Sequence, residues 1–370
     1  TFICQITMHK IGFIGWRSLV GQVLLERLQQ AQDLNDCYLT CYSTSQAGDP
    51  APEIAHHPQL QDAYQIANLA QNDIIITTQG SAYTRTIHPK LRNIGWKGYW
   101  IDAASAKRLD QDSIISLDPI NQSMVTQGLA EGIQNFIGGN CTVSLMLLAL
   151  AGLVKKQLIK HVQVSSYQAI SGAGSKAIET LIQTYNTLGQ TTQTAKNICH
   201  AMDNIHQALP TQSLAYNLHP WIDTEATHGQ TREEAKANLE TNKIIPYPIT
   251  VESTCVRIPS LRCHSQALTI ELHKEISEHD LIDYLQKAHP WIEIVPNTKA
   301  DTIQKLCPNY VQNQLKIAVG RIRSSPYKKN TYHLFTVGDQ LLWGAAEPLR
   351  RTLKTIKNHI QTTQKEPTTS

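Results

Sequence analysis

Three segments hold residues whose types and spacing could do chemistry. In Gly138-Gly139-Asn140-Cys141-Thr142-Val143-Ser144 a single thiol stands between a Gly-Gly turn and a long apolar run. A thiol on the first turn of a helix is favoured as thiolate, the nucleophilic form, by the partial positive charge of the helix N-terminus. The glycines leave room for a substrate. The same residues also describe a buried Cys beside a turn. A thiol nucleophile needs a proton donor or acceptor within hydrogen-bond reach, usually His. His264, in Arg257-Ile258-Pro259-Ser260-Leu261-Arg262-Cys263-His264, enters an expected strand and is a candidate, although one His among 15 is more often structural.

The third segment is Gly12-Phe13-Ile14-Gly15-Trp16-Arg17-Ser18-Leu19-Val20-Gly21, between a short apolar run and a helical pattern. Glycines there would let backbone amides approach a pyrophosphate at a helix N-terminus. The spacing is not the strict Gly-x-Gly-x-x-Gly, so a plain strand-to-helix turn is the competing reading. A dinucleotide site commonly has an acid after the second strand for the ribose hydroxyls. Here that stretch reads Tyr42-Ser43-Thr44-Ser45-Gln46. Hydroxyls helped by Arg17 would accept a 2′-phosphate, which favours NADP over NAD; a polar turn is again the alternative. Ser171-Gly172-Ala173-Gly174-Ser175-Lys176 resembles a phosphate loop but lacks the Gly-x-x-x-x-Gly-Lys-[Ser/Thr] spacing.

These segments need elements to position them. Up to Ala103, strand signals (Lys10–Ile14, Asp36–Tyr42, Asp73–Thr78, Gly98–Ala103) alternate with helical ones (Val20–Leu28), the pattern of a doubly wound parallel sheet. From Cys141 the pattern changes. Thr142–Ile159 reads as one apolar helix and His161–Ala169 as a strand. Lys176–Gly189 and Thr191–Gln207 read as helices. Cys255–Ile258, Gln266–Leu272 and Lys316–Arg321 read as strands of a mixed or antiparallel sheet, and Trp343–Ile360 as a closing helix.

Composition excludes several classes. The 370 residues carry 33 Lys and Arg against 30 Asp and Glu, a net charge of +3, which is no footprint for nucleic acid. With 41% apolar and 17% charged residues the chain is not of disordered type. The longest apolar run, Leu145–Val154, falls short of the ~20 residues a membrane span needs. Eight Cys without a Cys-x-x-Cys pair give no metal site, and the lack of a secretory signal suggests a reducing cytoplasm. Residues 1–7 read as an extension before Met8, and 363–370 as a polar tail.

Taken together the motifs resemble the aspartate-semialdehyde dehydrogenases of the Gram-negative bacterial type, from Met8 to about Ile360. The resemblance rests on Gly12–Arg17, Ser43–Gln46, Gly98–Ser105, Gly138 through Met146, Tyr167–Gly174, Glu240-Thr241-Asn242-Lys243, Leu261–Ala267 and Phe335–Arg351. It implies an α/β fold. A Rossmann-type doubly wound NADP domain (8–139, completed by a C-terminal helix at about 343–362) is joined to an α+β mixed-sheet catalytic and dimerisation domain (140–342). It implies reversible reduction of β-aspartyl phosphate by NADPH to aspartate β-semialdehyde, with release of phosphate, feeding lysine and diaminopimelate, methionine and threonine.

By the same resemblance Cys141 forms the thioester, His264 is the general acid/base and Gln168 orients the reacting groups. Arg257 clamps the α-carboxylate and Glu240 the α-amino group, while Arg108, Lys243 and Asn140 bind phosphate. Read alone, Arg108 and Lys243 would be solvated surface charges. Gly12, Gly15, Trp16, Arg17, Ser18, Leu19, Val20, Ser43, Thr44, Ser45, Gln79 and Gln340 would line the cofactor, Gln340 at its nicotinamide end. A homodimer is implied. Ser18 stands where relatives usually carry Gly, and its side chain is expected to narrow the approach to the pyrophosphate. Related acyl-phosphate reductases, a non-enzymatic relative and a Cys-His hydrolase are the competing readings. The intact Cys141, Gln168 and His264 speak against the second, and the cofactor loop against the third.

Overall fold

The computed structural model describes residues 8–192 and 196–365. They fall into two compact units. One comprises the chain up to Lys155, Leu239–Pro248 and the segment from Leu341; the other comprises Lys156–Asn238 and Ile249–Gln340.

Among the described residues, the first unit is built on a seven-stranded sheet. Its strands are β1 (His9–Ile14), β2 (Cys37–Ser43), β3 (Gln61–Asp62), β4 (Ile74–Thr77), β5 (Tyr99–Asp102), β6 (Ser113–Ser116) and β7 (Asn135–Gly138). The order is β3-β2-β1-β4-β5-β7-β6 and every pairing is parallel. A parallel sheet is covered on both faces, which explains the unbroken apolar run Ile74-Ile75-Ile76, buried throughout. The strand order reverses between β1 and β4. In such sheets that reversal opens a crevice at the carboxyl ends of the strands, where ligands bind. Helix α1 (Leu19–Gln30) follows β1, and helix α2 (Cys141–Ala149) follows β7.

The C-terminal helix (Glu347–Lys365) belongs to this unit. It buries Leu349, Leu353 and Ile356 and is tied to the unit by Arg350–Asp33 (2.5 Å), Arg351–Asp118 (2.6 Å) and Glu347–Arg27 (3.1 Å).

The second unit holds a mixed six-stranded sheet among its described residues. Its strands are β8 (Ile159–Gln168), β9 (Thr250–Arg257), β10 (His264–Leu272), β11 (Ile292–Ile294), β12 (Ile317–Ser324) and β13 (Thr331–Gly338), in the order β11-β12-β13-β10-β8-β9. Helices α3 (Ser175–Thr192), α4 (Ile198–Ala208) and the first part of α5 (Arg232–Ile244) accompany it. Side chains of a strand alternate between faces. On β8 the buried set is Val162, Val164, Ser166 and Gln168; on β10 it is His264, Gln266, Leu268 and Ile270. The register sets Ile270 opposite Val162, Leu268 opposite Val164 and Gln266 opposite Ser166. The inner face therefore passes from an apolar layer to a polar one at the end carrying Gln168 and His264.

Several expectations need correction. The apolar stretch 142–159 is not one helix: α2 stops at Ala149, a short helix spans Ala151–Lys155, and Ile159 already opens β8. Leu150 leaves the helical region (φ −97°, ψ 7°) and Gln157 turns the chain with φ +53°. An all-apolar run has no periodicity to reveal such breaks. By compactness the units divide after Lys155, with α2 buried within the first of them. The strands Asn135–Gly138 and Thr331–Gly338 were not foreseen. The last helix begins at Glu347, after a π-helical turn over Leu342–Ala346 that contains Trp343. The join between the two expected helices near 191 falls partly on residues 193–195. These residues, like 1–7 and 366–370, lie outside the described residues.

Candidate active site

The loop after β1 enters the crevice of the first unit. Gly15 has φ +79°, and a Cβ on Gly21 would lie 2.3 Å from the Gly15 carbonyl oxygen, so the turn closes only with glycine at both places. Ser18 caps α1: its Oγ accepts from the Gly21 amide at 3.0 Å and donates to Thr78 Oγ1 at 2.9 Å. Thr78 Oγ1 in turn donates to the Gly15 carbonyl at 2.7 Å. The Ser18 hydroxyl is thus a structural brace between the loops after β1 and β4. Leu19 and Val20 open the helix behind it.

At the end of β2, Ser43 Oγ accepts from Arg17 Nη2 at 3.4 Å and from the Ser45 and Gln46 amides. Gln79, after β4, donates to Thr44 Oγ1 at 3.3 Å. Hydroxyls and a guanidinium, with no carboxylate in the Ser43–Gln46 segment, suit a dinucleotide bearing a 2′-phosphate. The buried Trp16 Nε1 has no hydrogen-bond partner, a donor that a bound anion would satisfy.

Cys141 is the first residue of α2 and is half-buried. Asn140 caps that helix, its Oδ1 accepting from the Thr142 (3.0 Å) and Val143 (3.3 Å) amides. The cap is fixed from behind by Glu240, only 2% exposed, whose Oε2 accepts from the Asn140 amide at 2.6 Å. Glu240 Oε1 accepts from Arg108 Nη1 at 3.0 Å. Arg108 also donates to the Gly138 carbonyl (2.8 Å) and the Ala103 carbonyl (3.1 Å). Arg108 is therefore a buried brace around Gly138–Cys141, not a solvated charge. The turn leading to it is held by Asp102, whose carboxylate accepts from Ala104 N, Thr84 Oγ1 and Trp100 Nε1. Burial pushes the Asp102 pKa up to about 6. Lys243 Nζ donates to the Asp110 carbonyl at 2.6 Å, and desolvation lowers its pKa.

The second unit aligns the remaining groups across neighbouring strands. The register pairs Gln168 with Arg257, and its continuation sets His264 beside Gln168, with Gly338 on the far side of His264. His264 is fully buried. The Ala169 amide donates to its Nδ1 at 3.1 Å, which leaves the proton of the neutral ring on Nε2. Burial, then the Arg257 charge, drives its pKa down to about 3, while Glu233 pulls the other way.

The preceding residue, Cys263, has φ +73°, a strained conformation for a side chain of this kind. It is held by Gln340, whose Oε1 accepts from the Cys263 amide at 2.7 Å and whose Nε2 bonds Ser171 Oγ. In this structure Gln340 thus braces the His264 loop with both ends of its amide. Arg257 Nη1 donates to the Ala169 carbonyl at 2.7 Å, and Gly172 leaves the guanidinium room: a Cβ there would stand 2.7 Å from Nη1.

The structure therefore assembles Cys141, Asn140, Arg108 and Glu240 in one unit, and His264, Gln168, Arg257 and Gln340 in the other. Sequence reasoning missed Thr78, Ser171, Gly172 and Glu233. Only for Glu233 was a local signal available. Thr231 and Glu234 form a reciprocal N-terminal capping pair (Thr231 N to Glu234 Oε2, 2.8 Å; Glu234 N to Thr231 Oγ1, 3.3 Å) that fixes the start of α5.

The doubly wound parallel sheet with its crevice at the strand reversal is the fold of an NAD(P)-dependent dehydrogenase. Comparison agrees. Residues 10–128 match the family described as semialdehyde dehydrogenase, NAD binding domain, and residues 150–343 match semialdehyde dehydrogenase, dimerisation domain. The structure titled aspartate semialdehyde dehydrogenase from Francisella tularensis is 45% identical, covers 95% of this chain and 100% of its own, and superposes with a TM-score of 0.92. The chain belongs to the aspartate-semialdehyde dehydrogenase family. Two more distant structures share the fold. Aspartate semialdehyde dehydrogenase II complexed with ASA from Vibrio cholerae is 23% identical (TM-score 0.80, 95% of this chain and 98% of that one). The Candida albicans enzyme with NADP is 17% identical (TM-score 0.66, 95% and 99%). No helix among the described residues is long and apolar enough to cross a membrane.

Proposed function

We propose that this chain interconverts β-aspartyl phosphate and aspartate β-semialdehyde with NADP and phosphate, through a thioester on Cys141. The reading is carried by the thiol on the first turn of α2, where the helix N-terminus favours the thiolate and Asn140, fixed by Glu240, holds the turn. The thiolate attacks the acyl-phosphate carbon, the bond to the phosphate oxygen breaks, and phosphate leaves. Gly12, Gly15–Val20, Ser43–Ser45 and Gln79 would hold the dinucleotide, which would supply or accept the hydride.

His264 Nε2–H serves the carbonyl oxygen: the neutral ring donates a hydrogen bond as that oxygen gains negative charge, and the bond weakens as the oxyanion collapses to the aldehyde and expels the Cys141 thiolate. Arg257 receives the α-carboxylate with its planar fork. Gln168 orients the reacting groups. Lys243, Asn140 and Arg108 face the leaving phosphate. Glu240 would meet the α-amino group through lone pairs not used by Arg108 and Asn140. Gln340 would serve the nicotinamide end in addition to its bracing bonds. The chain acts as a homodimer in the cytoplasm and supplies lysine, diaminopimelate, methionine and threonine synthesis.

The test is reduction of NADP by aspartate semialdehyde, with phosphate omitted or Cys141 alkylated in parallel. Activity that needs both phosphate and the free thiol is expected. Activity that survives either treatment overturns the reading.

A further inference from the structure

Glu233 is an acidic residue that the reaction as described does not use, yet it is only 7% exposed and is hydrogen-bonded to Gln168. It sits on the first turn of α5. Its Oε1 accepts from Gln168 Nε2 at 3.3 Å, and its Oε2 accepts from Lys236 Nζ at 3.1 Å. Lys236 is itself paired with Asp223 at 2.9 Å. Gln168 Nε2 spends its other hydrogen on Ser166 Oγ at 3.1 Å, two residues back on the same face of β8.

A carboxamide has two nearly isosteric ends, and nothing in its shape decides which end faces a neighbour. A carboxylate decides it, because an ionised carboxylate only accepts. With Glu233 on one side, the amino end of Gln168 must face it, and the oxygen end is turned the other way. Gln168 is 2% exposed, so a flip would have to bury an oxygen against an oxygen.

We propose that Glu233 is a positioning residue: it locks the Gln168 amide so that Gln168 offers an acceptor oxygen to the reacting centre. Gln168 serves its role in the thioester reaction only in this orientation. The inference rests on the function proposed above. It adds that the Gln168 contact is made to a donor, such as a thiol or a hemithioacetal hydroxyl, and not to the oxyanion. Lys236, itself held by Asp223, sets a cation against the second oxygen of Glu233.

The experiment is a double-mutant cycle on the full-length chain with Glu233→Gln and Gln168→Ala, reading kcat and KM for aspartate semialdehyde with melting temperature alongside. Glu233→Gln alone should lower kcat by about 10- to 100-fold, the range for losing a hydrogen bond to a charged group. KM and melting temperature should stay near wild type. In the Gln168→Ala background the same substitution should lower kcat by no more than about twofold, since the amide it locks is gone. An unchanged kcat in Glu233→Gln, or equal losses in both backgrounds, overturns the proposal. If Glu233→Gln does not fold, Glu233→Asp, which draws the carboxylate back by one methylene, is read in the same cycle. A wild-type enzyme lacking phosphate-dependent NADP reduction would instead refute the function. Wild-type activity with an indifferent Glu233 refutes only this inference.

Discussion

Glu240 separates an architectural role from a binding role, because its carboxylate is buried between a guanidinium and the cap of the thiol helix. In Glu240→Ala, Arg108 keeps its bonds to the Gly138 and Ala103 carbonyls but loses its counter-charge, and the Asn140 amide loses a 2.6 Å acceptor. Breaking a buried ion pair by removing one partner costs about 3–5 kcal/mol. An orphaned buried donor alone accounts for about 1–3 kcal/mol. The two overlap here, so Glu240→Ala should destabilise the first unit by about 3–5 kcal/mol. Glu240→Gln, which keeps one acceptor, should cost about 1.5–3 kcal/mol.

Urea unfolding followed by Trp fluorescence suits the question, since Trp16, Trp96, Trp100 and Trp343 all lie in that unit. The loss of stability should be accompanied by a fall in kcat as the Asn140 cap loosens. A Glu240→Ala protein that unfolds with wild type, with only KM for the semialdehyde raised, would refute the bracing role and leave the amino-group contact as the residue's whole function.

Three further expectations follow from named contacts. Gly172→Ala should push the Arg257 guanidinium and raise KM for the semialdehyde about tenfold, because a bidentate clamp depends on orientation; melting should barely change, since a flexible side-chain end yields. A wild-type KM would show that Arg257 holds nothing. Ser18→Ala should destabilise the protein by about 1 kcal/mol through loss of the α1 cap, with NADP affinity in calorimetry nearly unchanged; tighter NADP binding at full stability would restore the steric reading. His264 has a folded pKa near 3 against 6.5 for the free ring, so between those values the unfolded chain binds the proton that the folded chain refuses. Stability therefore falls as pH drops from 6.5, by up to about 1.4 kcal/mol per pH unit from this group. His264→Gln should remove that slope in urea midpoints measured from pH 7 to 5, and parallel curves would contradict it.

The legible parts of the molecule were those whose signal is local. A Gly-Gly turn before an apolar run places Cys141, and alternating strand and helix signals place the dinucleotide crevice. The illegible parts depend on pairing between distant residues. Arg108 and Glu240 stand 132 positions apart, and Arg108 reads as a solvated charge until Glu240 is brought to it. Gln168, Arg257 and His264 share one row only through the strand register, which periodicity cannot supply. The same holds for β7 and β13, four and eight residues long. The roles of Gln340 and Ser18 could not be read from type alone, because one amide or hydroxyl can serve a ligand or hold a loop.

The most direct test of the account is one turnover without phosphate. Mixed with aspartate semialdehyde and NADP, the enzyme should form a thioester on Cys141 and stop for want of an acyl acceptor. NADPH should appear as a burst of about one per chain, and addition of phosphate should restart turnover. Mass spectrometry of the stalled enzyme should find the acyl group on the peptide containing Cys141. A missing burst, or a burst that persists in Cys141→Ala, would contradict covalent catalysis by this thiol.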